Sequence, residues 1–567
     1  MRAFALLGLA LPSIALNIPT QQTIFDADLS RSKHDTCPQA AKVAEPNDGF
    51  HDALTFLEDE ASRARQVYRL SKAVQVDTTV GDYAKDPYDE AFANFAEFQT
   101  LLEELFPLVH KHAEVEHINR LGLVYTFKGK DTTRKPLLFM AHQDVVPIDD
   151  PSDWTYPPFA GAFDGEWLWG RGASDCKNVL IGLLSVLEDL ITQNWQANRT
   201  VVLAFGFDEE SRGSLGAGTI APALEEIYGK DSFEFILDEG GMGLQSLGSG
   251  DNEVIYALPG VGEKGAVDIV LDLAVPGGHS SVPPAHTGIG IMSEILYELE
   301  RKDLFTAWLD SSHPAYSMLE CQARYSPEHV ESWLSAKLNS TDPATLGEAV
   351  AASRGPSVRY TLQSSQAADL FHGGVKTNAL PEKISATVNY RVALHQTPDL
   401  IRDRAFRIIT PIAKRHNITL LVNFPGLPSP VLSDSDVRTL TLHPLNDPLV
   451  PAPISPTNPL TSNTWARFAG VTRSVFESHA NPLEKTARSS ETSSSTPTVV
   501  VTGAFMTGNT DTHFYWSLSK NIYRWSPSRA GGRVNVHTVD ERISLDVHLE
   551  GMMVYYDLIR SFDNWNE

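Results

Sequence analysis

Three adjacent acids, Asp208, Glu209 and Glu210, close an apolar run from Val201 to Phe207. Carboxylates crowded at the end of a buried strand repel one another and resist leaving water unless a cation compensates them. The arrangement recurs: Pro136-Leu-Leu-Phe-Met-Ala141 leads into His142 and Asp144, and Phe233-Glu-Phe-Ile-Leu237 leads into Asp238 and Glu239. His142 and Asp144 stand two apart on an extended segment and so share a face. One imidazole nitrogen can then bind metal while Asp144 orients a ligand. Asp175 lies in Gly170-Arg-Gly-Ala-Ser-Asp-Cys-Lys177, a glycine-rich turn opening a helix whose first amides favour a carboxylate. Each piece alone has an ordinary explanation as a polar pair, a solvated loop or a helix cap. Together, at the ends of successive strands where open α/β sheets build their sites, they suit a zinc hydrolase.

The elements that must position these groups are legible in the apolar spacing. Asp52 to Val74 and Asp89 to Ala113 carry helical periodicity, the second through Phe92, Phe95, Phe98, Leu101, Leu102 and Leu105. From Leu121 strands and helices alternate, with helices expected at Val179 to Ile191 and Ala221 to Ile227. That alternation implies an α/β domain with a mixed, largely parallel sheet and helices on both faces. Near Val261-Gly-Glu-Lys-Gly265 the texture changes to strand, helix, strands, helix, strand: Ala266–Leu273, Gly288–Glu300, Lys383–Val392, Leu400–His416 and Ile418–Val422. This describes an inserted α+β, ferredoxin-like lid or dimerisation domain over 263–424. The catalytic domain is then split into 80–262 and 498–567, the latter ending in a helix from Leu545 to Phe562. Residues 16–79 form an N-terminal arm and helix. Residues 425–497 are a Pro- and Ser-rich surface excursion around one helix, Ser462–Phe476.

A length of 567 residues calls for more than one domain, and a formal charge of −25 argues against a nucleic-acid or anionic-membrane partner. The apolar stretch from Ala3 to Leu16 is shorter than the roughly 20 residues of a membrane span and matches a signal peptide cleaved after Ala15. A short uncleaved anchor is the alternative. Three sequons, at Asn198, Asn339 and Asn417, agree with a secretory route. Cys37, Cys176 and Cys321 allow at most one intramolecular disulfide, so the fold rests on its core.

The motifs LFMAHQDVVP, WGRGASDCKN, FGFDEESRGS, ILDEGG, GGHSS, KTNALPE and TGNTDTHFY occur in this order. As an ordered set they resemble the co-catalytic zinc peptidases that include carboxypeptidase S, aminoacylase-1 and bacterial glutamate carboxypeptidase. The texture is that of the carboxypeptidase S branch, which also contains secreted N-fatty-acyl amino acid hydrolases. The resemblance spans roughly residues 80–430 and 498–563. It implies two Zn2+ per subunit, one held by His142 and Asp238, the other by Glu210 and His513, with Asp175 bridging. Asp144 would orient His142, and Glu209 would be the general base. His279 would stabilise the tetrahedral oxyanion, reaching across from a partner subunit in dimeric relatives; this raises the expectation of a homodimer through the inserted domain. Asn378, Arg391 and Gly508 match substrate-contacting positions. Arg391, on the polar face of an alternating strand, has the fork geometry to grip a carboxylate. Cys176, beside Asp175, reads as a small buried residue because the ligand set is already full.

The activity implied is a metallocarboxypeptidase acting on the C-terminal bond of short peptides. Its alternative is an N-acyl, including fatty-acyl, amino acid amidohydrolase; a remote third is a non-catalytic zinc- or peptide-binding protein. The expected location is the secretory pathway, in a vacuole- or lysosome-like compartment or outside the cell.

Overall fold

Strands with apolar residues at every position need cover on both faces, and the central sheet provides it. The computed structural model describes residues 36–81, 84–301, 305–339, 341–424, 438–484 and 497–565. The expected signal segment lies outside them, as do the Pro- and Ser-rich stretches 425–437 and 485–496.

Eight strands make the central sheet, in spatial order Glu114–Ile118, Gly122–Phe127, Val201–Gly206, Leu137–His142, Phe235–Asp238, Ile522–Arg524, Gly260–Glu263 and Ala504–Met506. The four in the middle, from Val201 to Ile522, run parallel, and the strand next to them on each side, Gly122–Phe127 or Gly260–Glu263, runs antiparallel to them. Alternate side chains feed two cores. Leu137, Phe139, Ala141, Leu203 and Phe205 pack against the helices Lys177–Thr192 and Leu545–Asp563. Leu138, Met140, Val202 and Ala204 pack against the helix Ala217–Tyr228. A one-residue slip would exchange the two sets, so this double burial fixes register. It also sets His142, Asp208 and Asp238 at the same edge of the sheet.

The inserted domain is a five-stranded sheet in the order Ser365–Gly373, Lys383–Val392, Gly265–Ala274, Thr439–Pro444 and Thr419–Val422. The helices Gly288–Leu299 and Pro398–Arg415 cover one face over a separate core. On the strand Lys383–Val392, Ile384, Ala386, Val388 and Tyr390 face that core, leaving Thr387, Asn389 and Arg391 on the open face. Two features depart from the sequence reading. Thr439–Pro444 lies in the stretch read as an excursion, yet it inserts between the Gly265 and Thr419 strands, burying Leu440 and Leu442. A helical subdomain also interrupts the insert, with helices Pro314–Tyr325, Leu334–Leu338, Pro343–Arg354 and Pro356–Leu362 around a core of its own.

That subdomain is fastened to the catalytic half. Cys321 forms a disulfide with Cys37 of the N-terminal arm, and Tyr256 and Ser326 share a hydrogen bond of 2.8 Å between their hydroxyls. The arm itself is held by Arg560, whose guanidinium donates to Glu45, to both Asp48 oxygens and to the Pro46 carbonyl.

Candidate active site and metal centre

The turn before the Lys177 helix meets the carboxyl ends of the Leu137, Val201 and Phe235 strands, and acids and imidazoles converge there. His142 Nε2 lies 3.6 Å from Asp175 Oδ1 and 3.2 Å from Glu239 Oε1. His537 Nε2 lies 3.2 Å from Asp175 Oδ2 and 3.0 Å from Glu210 Oε1. Asp175 therefore stands between two imidazoles. Ligand atoms of His142, Glu209 and Glu210 also lie within 4.8 Å of one another.

The orientation of His142 is set from behind. Its Nδ1 is 2.9 Å from the Asp144 carbonyl and 3.3 Å from Asp144 Oδ1, which turns Nε2 to the cluster. Asp144 Oδ2 accepts the Glu210 N–H at 2.9 Å, so one buried carboxylate organises both chain segments. The Cys176 sulfur is buried and accepts the His142 N–H at 3.2 Å, acting as a packed backstop.

Electrostatics say what the cluster lacks. Burial pushes Glu239 up to about 8 and Asp238 and Asp208 up to about 7, and it raises Glu209 and Glu210 as well. Hydrogen bonds to Asp175 and Glu210 lift His537 to about 10. Burial opposes ionisation of Asp175 too, but the imidazoles of His142 and His537 beside it hold its carboxyl well below the usual range. His142 Nε2 and Asp175 Oδ1 are buried and have no hydrogen-bond partner among the described residues. Orphaned donor atoms among acids short of positive charge fit a divalent cation, and imidazole with carboxylate is a zinc-compatible donor set.

The structure brings His142, Asp144, Asp175, Glu209 and Glu210 together. It places two members of the expected set, Asp238 and His513, apart from the others. Asp238 stays behind, its Oδ1 accepting the Glu239 N–H at 2.9 Å, while Glu239 reaches His142. Adjacent residues at a strand end point opposite ways, so only one of this pair can face the site. His513 turns its Nδ1 to the Thr510 carbonyl at 2.9 Å and packs on Phe514, outside every metal-competent group among the described residues. His537 stands beside Asp175 and Glu210 instead, carried by the loop of the Arg533–Ser544 hairpin at a φ of 61°. The sequence signal for it was slight: Gly531-Gly532 followed by the turn formers Asn535 and Asp540 around one histidine.

The remaining candidates belong to the inserted domain or border it. His279 is exposed on a two-residue ribbon with Ala379, its Nδ1 accepting from the Ser281 hydroxyl at 2.7 Å. Asn378 adjoins that ribbon, its carbonyl accepting the Ser280 N–H. Arg391 donates to Asn509 Oδ1 at 2.6 Å, which sets it beside Gly508, where open space would surround even an added Cβ. Arg212, two residues past Glu210, reaches Asp268 of the inserted sheet at 3.4 Å.

The profile of peptidase family M20/M25/M40 matches residues 138–561. The chain is 36% identical to carboxypeptidase S of Saccharomyces cerevisiae over 541 residues, 92% of this chain and 88% of that one. It is 27% identical to the N-fatty-acyl-amino acid synthase/hydrolase of Homo sapiens over 543 residues, covering 94% of this chain and 95% of the relative. In fold it is similar to human carnosine dipeptidase 1 (TM-score 0.60, 12% identity), with 90% of this chain and 98% of that one covered. A metallo-carboxypeptidase from Sulfolobus solfataricus is similar at a TM-score of 0.54 and 14% identity, covering 88% and 99%. On the breadth of the profile match and the 36% identity to carboxypeptidase S, the chain belongs to peptidase family M20/M25/M40.

Proposed function

We propose that this protein is a zinc-dependent metallocarboxypeptidase that hydrolyses the C-terminal peptide bond of short peptides. The observation that carries the reading is Asp175 set between His142 and His537, with Glu209 alongside. His142 and Glu239 would hold one zinc, Glu210 and His537 a second, and Asp175 both. Bound there, two ions would acidify a water and polarise the scissile carbonyl. The protein's own groups do the rest. Glu209 takes the proton of the attacking water and passes it to the leaving amine; its burial, which raises its affinity for a proton, suits a group that must accept and then release one. Asp144 keeps Nε2 of His142 turned inward. Arg391 receives the substrate's free carboxylate through its guanidinium, with Gly508 leaving room for the peptide backbone and Asn378 near it. His279 donates to the developing oxyanion when the inserted domain or a partner subunit delivers it.

A homodimer through the inserted domain is part of this reading. Its support is the edge strand Ser365–Gly373, which leaves Leu370 and Phe371 exposed, since unpaired apolar edges invite a partner strand. The Cys37–Cys321 disulfide supports passage through an oxidising secretory compartment, ending in a vacuole-like lumen or outside the cell. No helix among the described residues is long and apolar enough to cross a membrane.

The likeness to the human N-fatty-acyl-amino acid enzyme keeps one alternative, hydrolysis of N-acyl amino acids. Purified protein, stripped of metal and reloaded with zinc, would be offered a blocked Gly-Leu dipeptide and an N-long-chain-acyl leucine. Zinc-dependent preference for the dipeptide is expected. Preference for the acyl leucine would move the protein to the acylase side, and turnover of neither with zinc bound would favour a binding protein.

A further inference from the structure

His537 and Asp175 are more than 350 residues apart in the chain, yet their ligand atoms must hold a separation set to a few tenths of an ångström for a metal to sit between them. The hairpin that carries His537 solves this by gripping the Asp175 turn directly. Glu541, fully buried at the far end of the His537 loop, accepts three backbone N–H groups on one oxygen: Gly172 at 3.1 Å, Ser174 at 3.0 Å and Asp175 itself at 3.2 Å. Its other oxygen accepts Arg171 Nη1 at 2.6 Å, and its own carbonyl accepts the Gly170 N–H at 2.9 Å. At the near end of the loop, Arg533 donates Nε to the Ser174 hydroxyl at 3.0 Å and Nη2 to the Ser174 carbonyl. Beneath the loop, Asp540 accepts the backbone N–H and the hydroxyl of Thr155, both at 2.7 Å.

Arg533, His537 and Glu541 thus recur every fourth residue, with both outer residues on the Asp175 turn and the middle one on the Asp175 carboxylate. A carboxylate that accepts several amides of one turn fixes the direction of successive peptide planes, and with them the exit vector of the side chain that follows. From this geometry we propose that Glu541, assisted by Arg533, is the positioning residue of the metal site: it holds the Asp175 turn and the His537 loop at one fixed separation. Neither residue touches substrate or metal. The inference rests on the proposed metal role of Asp175 and His537 and extends it to how the two are kept in register.

Glu541→Gln keeps the shape and one acceptor oxygen, but it removes the charge and turns an amide N–H toward Arg171. Zinc affinity would be read by competition with a metallochromic chelator, and the melting temperature of the metal-free chain would be read alongside it. The expected result is a zinc affinity about ten- to a hundredfold weaker, the range typical of groups that orient metal ligands, in a chain that still folds. At saturating zinc, kcat should fall with KM little changed. A merely structural role would lower the metal-free melting temperature and leave the affinity of the folded chain untouched. A folded Glu541→Gln chain binding zinc within twofold of wild type overturns the proposal. Arg533 is only half-buried, so if Glu541→Gln does not fold, Arg533→Gln gives the same two outcomes, and Arg533→Lys should restore part of the affinity by keeping a donor on Ser174. A wild-type chain that takes up no zinc sinks the metal reading as well, and is told apart because it fails before any variant is compared.

Discussion

Glu209 and Glu210 are chain neighbours, and the proposed chemistry asks opposite things of them: Glu210 would lose its proton to bind a metal, and Glu209 would take one up from water. Glu209→Gln should leave bound zinc unchanged, measured by atomic absorption, while kcat falls about a thousandfold, within the range of positioned general bases. Near-normal turnover would remove Glu209 from that role. The two histidines of the C-terminal part separate in the same way. His537→Ala is expected to leave one zinc per chain, because Glu210 and Asp175 lose the imidazole they now share. His513→Ala should keep both zinc ions, since its ring is tied to the Thr510 carbonyl and packed on Phe514. Equal zinc loss in the two variants would return His513 to the ligand set.

Two contacts tie the inserted segment to the rest of the chain. Arg212 leaves the turn that carries Glu209 and Glu210 and pairs with Asp268, which also accepts from Asn389, two residues before Arg391. An exposed pair of this kind adds little stability. It does connect the acid-bearing turn to the strand that carries Arg391, the proposed reader of the substrate carboxylate. Arg212→Ala should therefore lower kcat/KM severalfold through KM with zinc content unchanged, and Asp268→Asn should add little on top of it in a double-mutant cycle. The second contact is covalent. Cys321→Ser releases the helical subdomain from the N-terminal arm across 284 residues of sequence. Loss of such a link typically costs about 2–5 kcal/mol, so the melting temperature should drop while the metal content stays that of wild type. A melting temperature equal to that of wild type would mean that the link is not formed in solution.

For the whole molecule, the acid cluster makes metal and proton interchangeable sources of stability. Glu239, Asp238 and Asp208 have folded pKa values raised to about 8, 7 and 7, and His537 is raised to about 10. A carboxyl raised above its unfolded value near 4 keeps its proton longer in the folded state, so the metal-free protein binds more protons folded than unfolded. Its stability should then decline as pH rises from 5 to 7. His537 adds to the same slope above its unfolded value of about 6.5. Zinc bound at the proposed site would supply the missing positive charge and should flatten this dependence. Melting curves from pH 5 to 7, with chelator and with zinc, check this; parallel curves would mean that the cluster does not carry the metal.

Much of this protein was legible before any tertiary contact was known. Runs such as residues 201–205 and 137–141 are apolar at every position, and local chain chemistry alone makes them buried strands that lead into acids and histidine. Periodicity likewise marked the helices Lys177–Thr192 and Leu545–Asp563 to within about two residues at each end. His142, Asp144, Asp175, Glu209 and Glu210 could be singled out in the sequence because each lies near the end of a strand or the start of a helix. Tertiary structure decided the rest. Thr439–Pro444, set off by prolines, becomes an inner strand only because the Gly265 and Thr419 strands stand one strand-width apart on either side of it. The choice of Glu239 over Asp238 depends on the parity of a strand end. His537 lies in an irregular loop, where no period constrains a side chain, and it acquires its place through the grip of Glu541 and Arg533 on a turn distant in sequence. Local propensity ends where the backbone stops repeating; beyond that point only packing and long-range hydrogen bonds choose which atoms meet.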